Sequence, residues 1–180
     1  MACPVCGFDP TSISPPDAVV ALRSLPRRYR EAAGLAGDQP DQGGDGTGDD
    51  GAGPGHREGE AADRRALVLA QAAQATAAIA ALGEDLRRVL ISDDPALTTT
   101  DDTATSGEGD SDGADPDTVL ARLKQVTDRV AGLVEDQPAT AWKREGHRAG
   151  GPRSALALLG EAVHAGVHHL RLAQQAVGRG

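Results

Sequence analysis

Aromatic side chains are almost missing from this chain of 180 residues, with Phe8, Tyr29 and Trp142 its only three. A large β-sandwich or a doubly wound sheet draws its core from aromatic and β-branched mass, so neither suits this text. Cysteine is scarce too: the two present cannot form a disulfide framework. No stretch offers the ~18 consecutive apolar residues that span a bilayer. The opening MACPVCGFDP has neither the basic start nor the apolar segment of a secretory signal. These absences lead us to expect a cytoplasmic protein with no membrane partner. In a reducing compartment, two cysteines separated by two residues suit metal or redox chemistry better than a structural disulfide.

What the chain does have is alanine, 32 residues of it. Alanine and leucine favour packed helices. The net charge of −9 speaks against a general nucleic-acid binder, but it is unevenly spread. Residues 38–63 hold eight acids and one base, and residues 98–117 hold seven acids and no base, which leaves the other 134 residues at +5. Both segments are rich in Gly, Asp and Ser or Pro and lack periodic apolar residues. Such text buries too little surface to offset its ordering entropy, so both read as disordered acidic insertions. An anionic small molecule is therefore not excluded by charge.

Four helical stretches surround these insertions. The first starts with Ser14 as N-cap and Pro15 at the first position and reaches about Ala33, with Ala18, Leu22, Leu25 and Tyr29 on one face. Pro26 predicts a break or kink after Leu25. The second spans about Arg64 to Ile91. Its Leu67, Val68, Ile79, Leu82, Leu86, Val89 and Leu90 share one arc at ~100° per residue. In the third, Asp115 caps Pro116, and Val119, Leu123, Val126, Val130 and Leu133 form a stripe ahead of Pro138. The fourth runs from about Ser154 to Val177, with Leu156, Leu159, Val163, Val167 and Leu170 on one side. Strand signals are absent. The expected fold is all-α: a four-helix bundle over residues 14–177, interrupted by the two insertions and preceded by a segment, 1–13, that carries the cysteines.

Two motifs carry metal chemistry. In HAGVHHL, His164 and His168 lie four apart and project from one helix face, the spacing at which a helix offers two ligands to one divalent ion. Glu161 joins that face as a third ligand or as a support that fixes a tautomer. His169 points ~100° away. In CPVCG, Cys3 and Cys6 sit in a zinc-knuckle-like turn, but a tetrahedral structural site needs four donors. Two chains could supply them in a homodimer, a histidine could join, or the thiols could bind nothing; the strand-to-helix setting of a redox dithiol is missing. Trp142 is expected to anchor the connection between the last two helices in the core. No Gly-rich phosphate loop, no Ser-His-Asp arrangement and no aromatic-basic interleaving for nucleic acid occurs.

The segments GEAVHAGVHHLRLA, CPVCGFDP and ALRSLPRRYREA, with Trp142 to Gly146, resemble the DinB-like family, which includes mycothiol-dependent maleylpyruvate isomerases. The resemblance implies a four-helix bundle with a zinc or nickel ion held by one histidine of the second helix and two ligands of the last, here His164 and His168. It also implies a low-molecular-weight thiol such as mycothiol as the small-molecule partner, and transferase or isomerase chemistry. The second-helix histidine has no counterpart in ALVLAQAAQATAAI, Ala66 to Ile79. Gln71, ~40° from Leu67 and ~20° from Leu82 at ideal pitch, is the polar residue expected nearest that position. The alternative is a non-catalytic bundle that serves as an interaction or dimerisation protein.

Overall fold

The computed structural model describes residues 1–34, 54–98 and 115–178, with side chains omitted for 54–58. Most of both acidic insertions lies outside the described residues. Helix α1 spans Pro15–Ala32, α2 Pro54–Ile91, α3 Pro116–Val134 and α4 Ala155–Val177. Ser14 and Asp115 cap their helices as the sequence anticipates, and Ser154, expected only as the approximate start of α4, is a cap as well. Ser14, Asp115 and Ser154 accept hydrogen bonds from the backbone N–H of Asp17, Thr118 and Ala157, satisfying donors that the first helical turn leaves open.

The four helices pack as a bundle in which α2 lies along α4 and α3 along α1 and α2. Its core is built from Leu22, Leu25 and Tyr29 of α1, Val68, Ile79, Leu86 and Val89 of α2, Leu120, Leu123 and Val130 of α3, and Leu158, Leu159, Val163 and Leu170 of α4. The single tyrosine is fully buried, and its hydroxyl donates to the Gly166 carbonyl at 3.2 Å. Each apolar stripe is thereby matched by its neighbours, which supplies most of the stability of helices of this length.

Several details depart from the sequence reading. Helix α1 runs through Pro26 without a break, because Leu22, Leu25 and Tyr29 are buried on both sides of it and tertiary packing outweighs one lost ladder bond. Helix α2 starts at Pro54, so residues 54–63 of the expected insertion are helical. Leu67 is 51% exposed and ends a stretch, residues 59–67, in which every side chain of α2 is exposed. Gly59–Ile91 is long and apolar enough, by length and composition, to cross a membrane. Its apolar side chains are used inside the bundle, where Val68, Ala72, Ala75, Ile79, Leu86 and Val89 are fully buried.

A small hairpin also appears where no strand was expected. Strands β1, Glu145–Arg148, and β2, Gly151–Ser154, pair antiparallel just ahead of α4. A 3-10 turn, Ala141–Lys143, precedes them and carries the half-buried Trp142 against the core. Arg144 ties this unit to the end of α2 by donating to the carbonyls of Val89 and Ser92, both at 2.9 Å. The hairpin is too short and too polar to show a period-two pattern. It is held by these long-range bonds more than by strand propensity.

Candidate metal centre

The N-terminal segment folds back onto α4. Its first residues form a tight turn in which Gly7 N–H donates to the Cys3 carbonyl at 2.8 Å and Cys3 N–H donates to the Phe8 carbonyl at 2.9 Å. Gly7 closes this turn with φ of +71°, a backbone conformation that favours glycine over residues carrying a Cβ. Both thiols of CPVCG then face the helix.

Contact with α4 is unusually close at Gly160. A Cβ added there would stand 2.1 Å from the Pro10 carbonyl oxygen, so only a glycine lets the segment lie this near. Phe8 stacks on His164 with ring centroids 6.1 Å apart and planes 8° from parallel. A Gly160→Ala variant is expected to push residues 8–10 off the helix. We expect a net loss of about 1–2 kcal/mol in thermal unfolding, because overpacking outweighs the ~1 kcal/mol that alanine contributes through helix propensity. Unchanged stability would show that the close approach is not needed.

The consequence of this docking is a cluster drawn from opposite ends of the chain. Cys3, Cys6, His164 and His168 each present a ligand atom, and these four atoms lie within 4.8 Å of one another. Cys3 Sγ is 3.5 Å from His168 Nδ1. His164 Nε2 is buried and has no hydrogen-bond partner among the described residues, which a native interior seldom tolerates unless an ion or water completes it. A tetrahedral zinc with Zn–S near ~2.3 Å and Zn–N near ~2.0–2.1 Å separates its donors by roughly 3.3–3.8 Å. The four residues therefore fit a zinc ion with a small inward movement of the side chains. What the sequence presents as two half-sites is one group with four donors.

The local field prepares the thiols unequally. Cys3 is lowered to about 5 by the backbone N–H of Cys6, by the neighbouring His164 and His168 imidazoles and by the backbone N–H of Val5, against a burial cost. Burial pushes the Cys6 thiol up, and the negative charge of Cys3 adds to that. One thiolate is thus available at neutral pH in the metal-free protein. A divalent cation would draw out the second.

Two of the residues expected to assist the histidine pair do other work. Glu161 accepts a two-pronged pair from Arg148, at 3.2 Å to each oxygen, and a third bond from Arg153 at 3.3 Å. With both oxygens engaged by guanidinium groups of the hairpin, it does not join the four donors. Gln71 Oε1 lies 2.8 Å from His169 Nδ1, so this amide is taken up across the α2–α4 interface and does not fill the position of a second-helix ligand. His169, 7% exposed, stays outside the cluster. Nor is a second chain required to complete a thiolate site, since the partners of Cys3 and Cys6 are the two histidines of their own chain. His147, on the hairpin, pairs with Asp94. The joining of the cysteines to the histidines was open in the sequence as one of three outcomes. What it lacked was any local signal that residues 1–13 pack against α4.

No protein-family model matches the chain, and no curated protein matches it in sequence. Among solved structures it is similar to YfiT from Bacillus subtilis, with a TM-score of 0.57 over 93% of this chain and 89% of that one. The chain has the YfiT fold. YfiT is described as a probable metal-dependent hydrolase with an unusual four-helix bundle topology. At 20% identity the likeness to YfiT establishes the architecture, and chemistry must be argued from the donors themselves.

Proposed function

We propose that this protein is a DinB-like metal-binding bundle that holds one zinc ion through Cys3, Cys6, His164 and His168, and that the ion clamps the N-terminal segment to α4. The convergence of four donors within 4.8 Å supports this reading. Two thiolates and two imidazoles in a tetrahedral arrangement favour zinc over nickel, and four protein donors make a closed site of the structural kind. The test is elemental analysis of purified protein. Stoichiometric zinc in the wild type, and its loss in Cys3→Ser, would support the clamp, whereas metal-free wild-type protein that takes up no added zinc would sink it.

A second reading follows from the YfiT-like fold together with the position of Cys3 on a short, partly exposed turn ahead of α1. If the Cys3 sulfur leaves the ion, three protein donors remain, and that is the composition of a catalytic zinc site. An ion with one open position lowers the pKa of a bound water or low-molecular-weight thiol. On this reading Cys6, His164 and His168 hold the ion, and Cys3 acts as the gate of a thiol-dependent transferase or isomerase. Cys3→Ala should then retain zinc and gain affinity for small thiols such as mycothiol, measured by calorimetry. Loss of zinc in that variant favours the closed clamp.

A further inference from the structure

The composition of the cluster suggests a function beyond holding the segment in place, and it rests on the zinc reading above. The two thiols sit in one turn with two residues between them and are partly exposed. The two imidazoles sit on a rigid helix one turn apart. The donors therefore divide into a half that can be oxidised and a half that cannot. Closing a bond between Cys3 and Cys6 requires their sulfur atoms, already within 4.8 Å, to approach to ~2.05 Å. The turn itself can supply that movement without disturbing α4.

We infer that the centre is a redox-sensitive clamp, in which a hydroperoxide joins Cys3 to Cys6 as a disulfide, expels the zinc and releases residues 1–13 from α4. The Cys3 sulfur donates an electron pair to one peroxide oxygen, the O–O bond breaks, and a sulfenic acid and one water (or alcohol) result. The Cys6 sulfur then attacks the sulfenic sulfur, the S–O bond breaks, and the oxygen leaves as a second water. The peroxide is reduced by two electrons, the two thiolates are oxidised by two, and two protons are consumed from solvent. The ion keeps only His164 and His168, too few to hold it.

Release of the segment follows from where its contacts lie. The stacking of Phe8 on His164, the Cys3–His168 contact and the seat of Pro10 on Gly160 span about two turns of α4 beside the four donors. Losing the metal removes the strongest of these constraints, and the remaining apolar contacts come from a segment with one aromatic residue. A small thiol reductant and zinc would reverse the change, because exchange at an exposed disulfide is open to attack by free thiolate.

The experiment uses the full chain loaded with zinc. Its metal content is measured first, the protein is then titrated with hydrogen peroxide, and zinc release is followed with a chromogenic chelator beside intact-mass and peptide mapping. We expect release in proportion to peroxide, with a mass loss of two hydrogens, a Cys3–Cys6 crosslink within a monomer, and recovery on reduction with zinc present. A Cys3→His variant, which keeps four donors and cannot form the bond, should retain its zinc under the same titration. Zinc retained by the wild type in excess peroxide, or thiols converted to sulfinic acids or to crosslinks between chains, would overturn the switch and leave the clamp standing. Protein that holds no zinc before peroxide is added overturns both, and the first measurement alone reveals it.

Discussion

Stripping the metal with a strong chelator at neutral pH is expected to lower the melting temperature by about 10 °C, and His168→Ala is expected to abolish that response. The size follows from mass action. An ion present at 100 to 1,000 times its dissociation constant stabilises the folded state by about 3–4 kcal/mol, and in a domain of this size each kcal/mol moves the midpoint by about 2–4 °C. Small zinc fingers lose their fold entirely without metal. Here the bundle has a core of its own across all four helices, so the metal-free chain should remain helical and lose its N-terminal segment first.

His168 is the right residue to remove because Nδ1 faces Cys3 Sγ at 3.5 Å and the ring is not needed for the core stripe formed by Leu159, Val163 and Leu170. A His147→Ala variant serves as control, since that ring pairs with Asp94 on the exposed hairpin side. Two melting curves that coincide with and without chelator in the wild type would remove the metal from the stability of this protein.

The legibility of this molecule in its sequence depended on the range of each signal. Caps and stripes are local, and they reveal all four helices: Ser14 and Pro15, Asp115 and Pro116, and Ser154 mark starts that the structure keeps, whereas α2 begins ten residues before the expected Arg64. The i, i+4 histidine pair is local too, and α4 does project both rings to one cluster. The residues that join them are separated from His168 by 165 positions, as the Cys3–His168 contact shows. No periodicity links an N-terminal turn to a particular helix turn. Only Gly160, a small residue one turn before His164, hints that something lies close to α4 there, and its meaning is visible only with Pro10 in place.

Polar side chains proved harder to assign than apolar ones for the same reason. Gln71 and Glu161 do point toward positions that a helical wheel can anticipate, but their partners come from other elements. Glu161 is claimed by Arg148 and Arg153 from a hairpin that exists because Arg144 anchors it to α2. Gln71 is claimed by His169. A ligand assignment from one helix therefore fails whenever a better hydrogen-bond partner arrives from elsewhere, and two guanidinium groups on one carboxylate are such a partner.

The Gln71–His169 pair leads to the second large effect, a loss of about 3 kcal/mol of stability on acidification from pH 7 to pH 4. With Oε1 as acceptor, the His169 ring donates from Nδ1, and a second proton would have to be accommodated at the other nitrogen of a ring 7% exposed. Burial, and then the charges of His168 and His164, lower the His169 pKa from 6.5 to about 4. Above pH 6.5 the ring is neutral in both folded and unfolded chains and contributes no pH dependence. As the pH falls from 6.5 toward 4, the unfolded chain binds a proton that the folded one refuses, so stability declines across that window and levels off below it. A displacement of this size corresponds to about 3 kcal/mol.

His169→Gln keeps a side chain able to bond Gln71 but removes the titration, so its stability should fall less steeply between pH 6.5 and pH 4 in urea unfolding. Both proteins should be measured in chelator, because metal affinity is itself pH-dependent and loss of zinc would add to the profile. Parallel profiles for the two proteins would place the acid sensitivity elsewhere than in the α2–α4 interface. A flatter profile in the variant would show that the interface which aims His164 and His168 at the cysteines is held together by a histidine that must stay neutral.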